Sequence, residues 1–450
     1  MPIVDSEQTA SQYSQDRTRM KNMFLLGLSL ASAPIASLAA AQAEPQTAEQ
    51  QVDRYGSQIF RDSRAVGMVM VVVDKKQTLQ RFYGQTRPGS RQKPDADSLL
   101  RIASISKTMT GEVLSSLALE NRVKLDDPLQ KYAPQGMALP QAGQSITLLN
   151  LATHTSGFPR EMPGSKPQDT PVFVWPDQQQ RWSWLSASKA RFAAGEKAQY
   201  SNLAFDFLAD ALAVATGRPY AALLRDKITA PLGMKDTTLN PTAAQCARLL
   251  EGFGASPCVN TTAASGSGGI YSTPRDMQRW LQDLVYPQDA ARKQLRDQMF
   301  RMYFKRDDLR SLRGMDVAGQ ADELGLGWIR MQEKPDAPEI IQKTAGGGGF
   351  IGYVAIAPKH DVAVWVALTR SGGTHYHNMS GGANKLVAEL SGYQPAALVA
   401  PKPVAARKTA AHKAVVSKPA ARKTAAHAKP AARKAAAGKK THKKHKPANS

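Results

Sequence analysis

Eight consecutive positions, Gly67 to Asp74, read Gly-Met-Val-Met-Val-Val-Val-Asp, with no alternation between apolar and polar side chains. A continuous β-branched-rich run of this length is the pattern of a strand covered on both faces, as opposed to a strand with one wet side. Matching strand-like runs lie almost 300 residues away, at Gly349 to Ala357 and Val362 to Thr369, with Pro358 to Asp361 supplying a hairpin turn between them. The segment from about 110 to 260, including Leu203 to Ala215, reads mostly helical, and Lys385 to Leu390 reads as a closing helix. The simplest architecture is α/β in the α+β sense. A sheet flanked by helices draws on about 50–105 and 265–395, and a mostly helical region, about 110–260, is inserted between its halves. With 450 residues and 42% hydrophobic positions, the chain has ample material for a core and is neither disordered throughout nor collagen-like.

The net charge of +22 suggests a nucleic-acid binder until its distribution is read. Residues 401–450 hold 15 Lys or Arg and no acid, leaving 44 basic against 37 acidic side chains in the rest. The body is therefore only mildly basic. The tail, 399–450, repeats Ala-Ala-Arg-Lys-Thr-Ala-Ala-His at 405–412 and 420–427, and its Lys/Ala/Pro/His composition cannot build a core. It is expected to be disordered and to suit anionic cell-envelope polymers, with no specific nucleic acid expected. At the other end, Arg17, Arg19 and Lys21 precede an apolar run from Met23 to Ala41 that exits through Ala41-Gln42-Ala43. Residues 1–43 thus read as a cleaved signal peptide, with a membrane anchor as the alternative, and residues 44–398 as an exported, periplasmic domain. Export gives meaning to the two cysteines. Cys246 and Cys258 either close a short disulfide loop or remain as two buried thiols.

Ser104-Ile105-Ser106-Lys107 stands where the apolar stretch Leu99 to Ala103 gives way to a helical pattern. One helical turn puts the Ser104 hydroxyl and the Lys107 amine on one face, where a neutral amine can take the hydroxyl proton. The spacing is weak alone, since it recurs at Ser90 to Lys93 and Ser186 to Lys189. Two further elements strengthen it. Tyr200-Ser201-Asn202 offers a phenol to relay protons and a carboxamide to hold a substrate amide, although Tyr200 can also be a packing residue before a helix capped by Ser201 or Asn202. Lys343-Thr344-Ala345 is followed by Gly346 to Gly349, so a substrate backbone can lie along a strand edge beside a cation and a hydroxyl. Two lysines converging on one site repel, which lowers at least one of their pKa values. His154-Thr155-Ser156-Gly157 reads as a loop-shaping segment more than a catalytic one, and Tyr376 to Asn378 repeats the Tyr-x-Asn pattern out of order. His375 and His377 lack the spacing of a helical zinc pair, so no metal site and no cofactor are expected.

These three elements in this order resemble those of the penicillin-recognising serine hydrolases, in the class C β-lactamase-like group. Leu151 to Ser156, Pro171 to Pro176, Pro231 to Thr238 and Gly325 to Trp328 carry the likeness further, which spans roughly 50–395 and omits the tail. The resemblance implies a β-lactamase/transpeptidase-like fold with an antiparallel sheet. It also implies a serine D-alanyl-D-alanine carboxypeptidase/endopeptidase that acts on peptidoglycan peptides through an acyl-enzyme and binds β-lactams covalently. Ser104 would be the nucleophile and Lys107 its base, with Tyr200 and Asn202 completing the proton and amide network, and Lys343, also a catalytic candidate, would orient the substrate carboxyl end with Thr344. Thr344 and Ala345 would flank the substrate, and the N–H groups of Ser104 and Gly346 would form the oxyanion hole. Ala345 replaces a glycine usual in the family, and its methyl is expected to alter kinetics or narrow acceptance of bulky β-lactams. A true β-lactamase, an esterase, or an anionic-polymer binder acting through the tail are the competing readings.

Overall fold

The computed structural model describes residues 46–394 except 76, 140–144 and 189–193. The segments read as a signal peptide and as a basic tail lie outside the described residues, as does Lys189.

The strands, in chain order, are β1 (Gly67–Asp74), β2 (Gln77–Gly84), β3 (Leu100–Arg101), β4 (Ala198–Gln199), β5 (Tyr271–Ser272), β6 (Met302–Lys305), β7 (Leu312–Arg313), β8 (Glu323–Gly325), β9 (Ile329–Met331), β10 (Ile340–Gly347), β11 (Phe350–Ala357) and β12 (Val362–Thr369). Eight of them form one antiparallel sheet in the order β2-β1-β12-β11-β10-β9-β8-β6. β1 therefore lies beside β12, Gly67 facing Thr369 and Asp74 facing Val362, so the two ends of the body meet one strand in from the β2 edge of the sheet.

Every residue of β1 and β12 is buried, because helices cover both faces. Met68, Met70 and Val72 point into one apolar layer with Val364 and Val366. Helices α1 (Ala48–Ser63) and α10 (Tyr376–Leu390) complete that layer through Val52, Tyr55, Ile59, Met379, Leu386 and Val387. Val69, Val71 and Val73 point the other way, into the larger core with Trp365, Val354 and the remaining helices. The two-residue period of a strand thus splits one apolar run between two cores.

Those remaining helices are α2 (Ser106–Leu119), α3 (Leu148–Ala152), α4 (Gln178–Ala187), α5 (Asn202–Thr216), α6 (Tyr220–Leu224), α7 (Ala243–Cys246), α8 (Pro274–Val285) and α9 (Ala290–Met299). Four departures from the sequence reading have physical causes. First, α10 begins nine residues before Lys385. Gly381, Gly382 and Ser380 depress its helix propensity, but Gly382 is where α10 meets α1: a Cβ there would come within 2.4 Å of Ile59. Second, the inserted region contains a long irregular stretch, Thr153 to Asp177, between α3 and α4, with left-handed His154 and Phe173. Third, β3 joins only β5 and stays out of the large sheet. Fourth, the span from 265 to 395 contributes α8 and α9 as well as strands. Cys246 and Cys258 are disulfide-bonded, with Cα atoms 5.7 Å apart.

Candidate active site

Ser104 lies in a 3-10 turn, Ala103–Ile105, that runs directly into α2. Ala103, the residue before it, is held at φ 45°, a left-handed conformation that costs a non-glycine residue energy and recurs at functional sites. Lys107, one turn later, is fully buried, and its Nζ donates to Ser104 Oγ at 3.3 Å. It also donates to Asn202 Oδ1 at 2.6 Å and to the Ser267 carbonyl at 2.5 Å. Three oxygen acceptors thus surround one buried amine.

Tyr200 arrives from the opposite side. Its backbone N–H donates to Arg313 O beside the short parallel β4–β7 pair, and Ser201 caps α5 by accepting from Ala204 N. Tyr200 Oη donates to Ser104 Oγ at 2.7 Å. The Nζ atoms of Lys107 and Lys343 each lie 5.0 Å from the Tyr200 ring centroid, and the Arg160 guanidinium lies 4.8 Å from it. The packing role and the polar role of Tyr200 coexist: ring beside two amines and a guanidinium, hydroxyl on serine.

The third element is β10, which packs against the Ser104 turn. β9 pairs with β10 only at Ile340 to Gln342, so among the described residues that edge of β10 carries no partner strand from Lys343 onward. Its free N–H and C=O groups are of the kind an extended peptide adds to. Gly346 lies on this stretch. Ala345 is 6% exposed and belongs to the large core. It stands opposite Gly352, whose missing side chain leaves space bounded by the Ala345 methyl and Ile105 Cδ1. The methyl that departs from the family's usual glycine is therefore accommodated inside the protein by a second small residue. Thr344 lies next to the Tyr376 phenol at the start of α10, which burial pushes far up from its usual range.

Lys343 is fully buried, and its amine is held well below the ordinary lysine range by burial, then by Lys107 and Arg160. Its Nζ lies 3.4 Å from His154 Nε2. His154 is itself stacked on Tyr200, with ring centroids 4.5 Å apart, and its carbonyl accepts from Gln199 N–H in β4. It shapes the loop, as its sequence context suggests, and also touches Lys343. Burial first, then Lys343, Lys107 and Arg160, hold its imidazole well below 6.5.

A serine, a phenol on its oxygen, an amine one turn away and an open strand edge can carry out nucleophilic acyl transfer. Comparison with known proteins accords with that chemistry. A family model described as Beta-lactamase matches residues 45–389. The chain belongs to the beta-lactamase family. It is 51% identical over 380 residues to the D-alanyl-D-alanine-carboxypeptidase/endopeptidase AmpH of Escherichia coli K12, covering 84% of this chain and 98% of the relative. It is 23% identical over 345 residues to a beta-lactamase of the same organism, covering 72% of this chain and 89% of that one. Among solved structures, a beta-lactamase/D-alanine carboxypeptidase from Yersinia pestis complexed with citrate superposes with a TM-score of 0.73 at 56% identity, covering 76% of this chain and 98% of that chain. A class C beta-lactamase at 20% identity, with a TM-score of 0.63 over 78% of this chain and 99% of its own, shares the fold.

Within this family scaffold, several polar groups at the site escaped the sequence reading. Asp206, one turn into α5, is buried and accepts from both the N–H and the hydroxyl of Ser267 at 3.0 Å, aligning the Ser267 carbonyl that faces Lys107. Burial pushes the Asp206 carboxyl up to about 7, against the pull of Arg181, Lys107 and Ser267. Asp210, one turn further, differs in being clamped by both arms of Arg181 at 2.7 Å. Two acids in an otherwise apolar helix were the available signal for this pair. Glu161 accepts from Asn202 Nδ2, fixing which end of that carboxamide faces Lys107. The Ser267 carbonyl, being backbone, has no signature in sequence.

Proposed function

We propose that this chain is a serine-type D-alanyl-D-alanine carboxypeptidase/endopeptidase acting on peptidoglycan stem peptides through an acyl-enzyme, and that penicillin acylates it at the same serine. The observation that carries the reading is the Ser104 oxygen held at 2.7 Å by Tyr200 and at 3.3 Å by Lys107, beside the unpaired edge of β10. Ser104 attacks the carbonyl carbon of the D-alanyl bond, and its proton passes into the Lys107–Tyr200 pair and on to the leaving amine. The N–H groups of Ser104 and Gly346 hold the tetrahedral oxyanion. Asn202 receives a substrate amide, and Lys343 and Thr344 receive the terminal carboxylate. Water then attacks the acyl-enzyme and returns the serine. The identity to a D-alanyl-D-alanine-carboxypeptidase/endopeptidase over nearly its whole length supports the substrate class.

Fluorescent penicillin is expected to label the wild-type protein and not Ser104→Ala, and mass spectrometry of muropeptides is expected to show release of D-alanine. Label persisting in Ser104→Ala would end this reading. The second reading is a true β-lactamase, favoured by the double name of the Yersinia relative. Rapid β-lactam turnover with no D-alanine release from muropeptides would select it.

In this reading residues 1–43 are a cleaved signal, 44–398 the periplasmic catalytic domain, and 399–450 a tether. Among the described residues no helix is long and apolar enough to cross a membrane. The 15 cations after residue 400 would bind anionic cell-envelope polymers in a salt-dependent manner. Truncation after Leu398 is expected to leave small-substrate hydrolysis intact and to weaken sedimentation with cell walls at low salt. Equal sedimentation would remove the tether.

A further inference from the structure

Lys343 and His154 meet in a way that fixes the position of a proton. His154 Nδ1 accepts the backbone N–H of Ser201 at 3.1 Å, so Nδ1 carries no hydrogen. The ring is fully buried, with Lys107 and Arg160 close by, an environment that opposes a second proton. The single hydrogen of the neutral imidazole is therefore on Nε2, the nitrogen that faces Lys343 Nζ at 3.4 Å. An N–H can donate to a lysine nitrogen only if that nitrogen retains its lone pair, and an ammonium has none.

The rest of the surroundings agree. Tyr200 and Phe205 present ring faces to Nζ at 5.0 and 6.0 Å, and the charged groups acting on Lys343 are the cations Lys107 and Arg160. Among the described residues, no carboxylate forms an ion pair with it. Lys107, by contrast, directs its donors to three oxygens.

We propose that His154 is a positioning residue that holds Lys343 as a neutral amine in the free protein, and that an entering carboxylate converts this amine to an ammonium with uptake of one proton from solvent. The inference rests on the reading given under Proposed function, in which Lys343 meets the carboxylate of the acyl donor. The step balances simply. A solvent proton joins the Nζ lone pair, the new ammonium pairs with the carboxylate, and no substrate bond is made or broken. His154 Nε2–H loses its acceptor and must turn from Nζ, which is the cost that keeps the amine neutral until an anion arrives. Acylation by anionic donors then weakens with rising pH, and acylation by donors without a carboxylate does not.

The test uses the full chain, a fluorescent penicillin, and p-nitrophenyl acetate as a donor with no anionic group. Rates are followed from about pH 6 to about pH 9.5 for wild type and for His154→Asn. Asparagine tolerates the left-handed backbone of this position (φ 62°), and its carbonyl can accept from Ser201 while offering nothing equivalent to Nε2–H. The expected result is an alkaline fall in penicillin acylation that moves up by about one pH unit in His154→Asn, with no such fall for the neutral ester in either protein. A limb at the same pH in both proteins, or one shared with the ester, would overturn the proposal. Should His154→Asn fail to fold, the wild type decides the matter through proton uptake. Opening a β-lactam moves the serine proton onto the lactam nitrogen without net exchange. Acylation in weak buffer near pH 8 should therefore remove about one proton from solution per Ser104 labelled. No uptake overturns the proposal. Wild-type protein that takes no label at all would instead sink the proposed function, and this inference with it.

Discussion

Two fully buried lysines, 236 positions apart, flank the same phenol ring at the same 5.0 Å, yet their surroundings are opposite. Lys107 is met by a hydroxyl, a carboxamide oxygen and a carbonyl, and behind that carbonyl stands the Asp206 carboxylate. Lys343 is met by an imidazole and by cations at longer range. One pocket replaces the solvation of an ammonium, and the other withholds it. The comparison teaches that residue type alone does not assign a role in this site; the count of oxygens around each nitrogen does.

The largest expected effect tests the Lys107 half. Lys107→Met keeps the volume and removes the donors, so penicillin labelling should slow by about 10³-fold or more in stopped-flow measurements. A loss no larger than that of Lys343→Met would erase the distinction between the two amines. The next effect is on stability and belongs to Lys343. Its folded pKa lies below its unfolded value of about 10.4, so the unfolded chain binds the extra proton and wild-type stability climbs as pH rises toward that value. Lys343→Met removes the buried amine and should stabilise the protein by about 2 kcal/mol at neutral pH, the gain shrinking to near zero by about pH 10.5. Urea unfolding at a series of pH values reads this directly, and parallel pH slopes for the two proteins would mean that Lys343 is charged in the fold.

A smaller effect should come from Asp206. With its carboxyl pushed up to about 7 by burial, it gains charge across neutrality, and that charge tightens its hold on the Ser267 N–H and hydroxyl, which aim the Ser267 carbonyl at Lys107. Wild-type acylation should rise through that range, and Asp206→Asn should lack the step and run about tenfold slower above it. A step that survives the substitution belongs to another group. The smallest effect concerns the sheet. Ala345→Gly deletes a buried methyl that faces Gly352, so it should cost about 1 kcal/mol of stability while leaving penicillin labelling within about threefold of wild type. A large gain in acceptance of bulky β-lactams would place that methyl in the path of the substrate instead.

Much of this site was legible because its side chains are anchored to strong local patterns. Ser104 and Lys107 stand at the start of a long apolar helix, Tyr200 precedes another, and Lys343 opens a strand edge marked by glycines. The groups that were missed lack such anchors. Ser267 contributes only its carbonyl, Asp206 looks like a stray acid on an apolar helix, and His154, read as loop-shaping, hides its contact with Lys343 in an irregular loop with a left-handed backbone. The start of α10 was hidden by glycine and serine, whose low propensity is overridden by close packing on α1.

By itself the chain of residues determined that a sheet must be covered on both faces and that its two ends must share it. It also offered the hydroxyl, amines and phenol that the acyl-transfer reading proposes to use. These follow from local rules: strand periodicity, the rise of one helical turn and the entropy of glycine. Only the tertiary structure decided which amine is set among oxygens and which beside an imidazole, because the surroundings of a buried group depend on the few atoms that the fold brings within about 3 Å. Those atoms come from segments up to 189 residues apart, and one of them, the Ser267 carbonyl, belongs to the backbone.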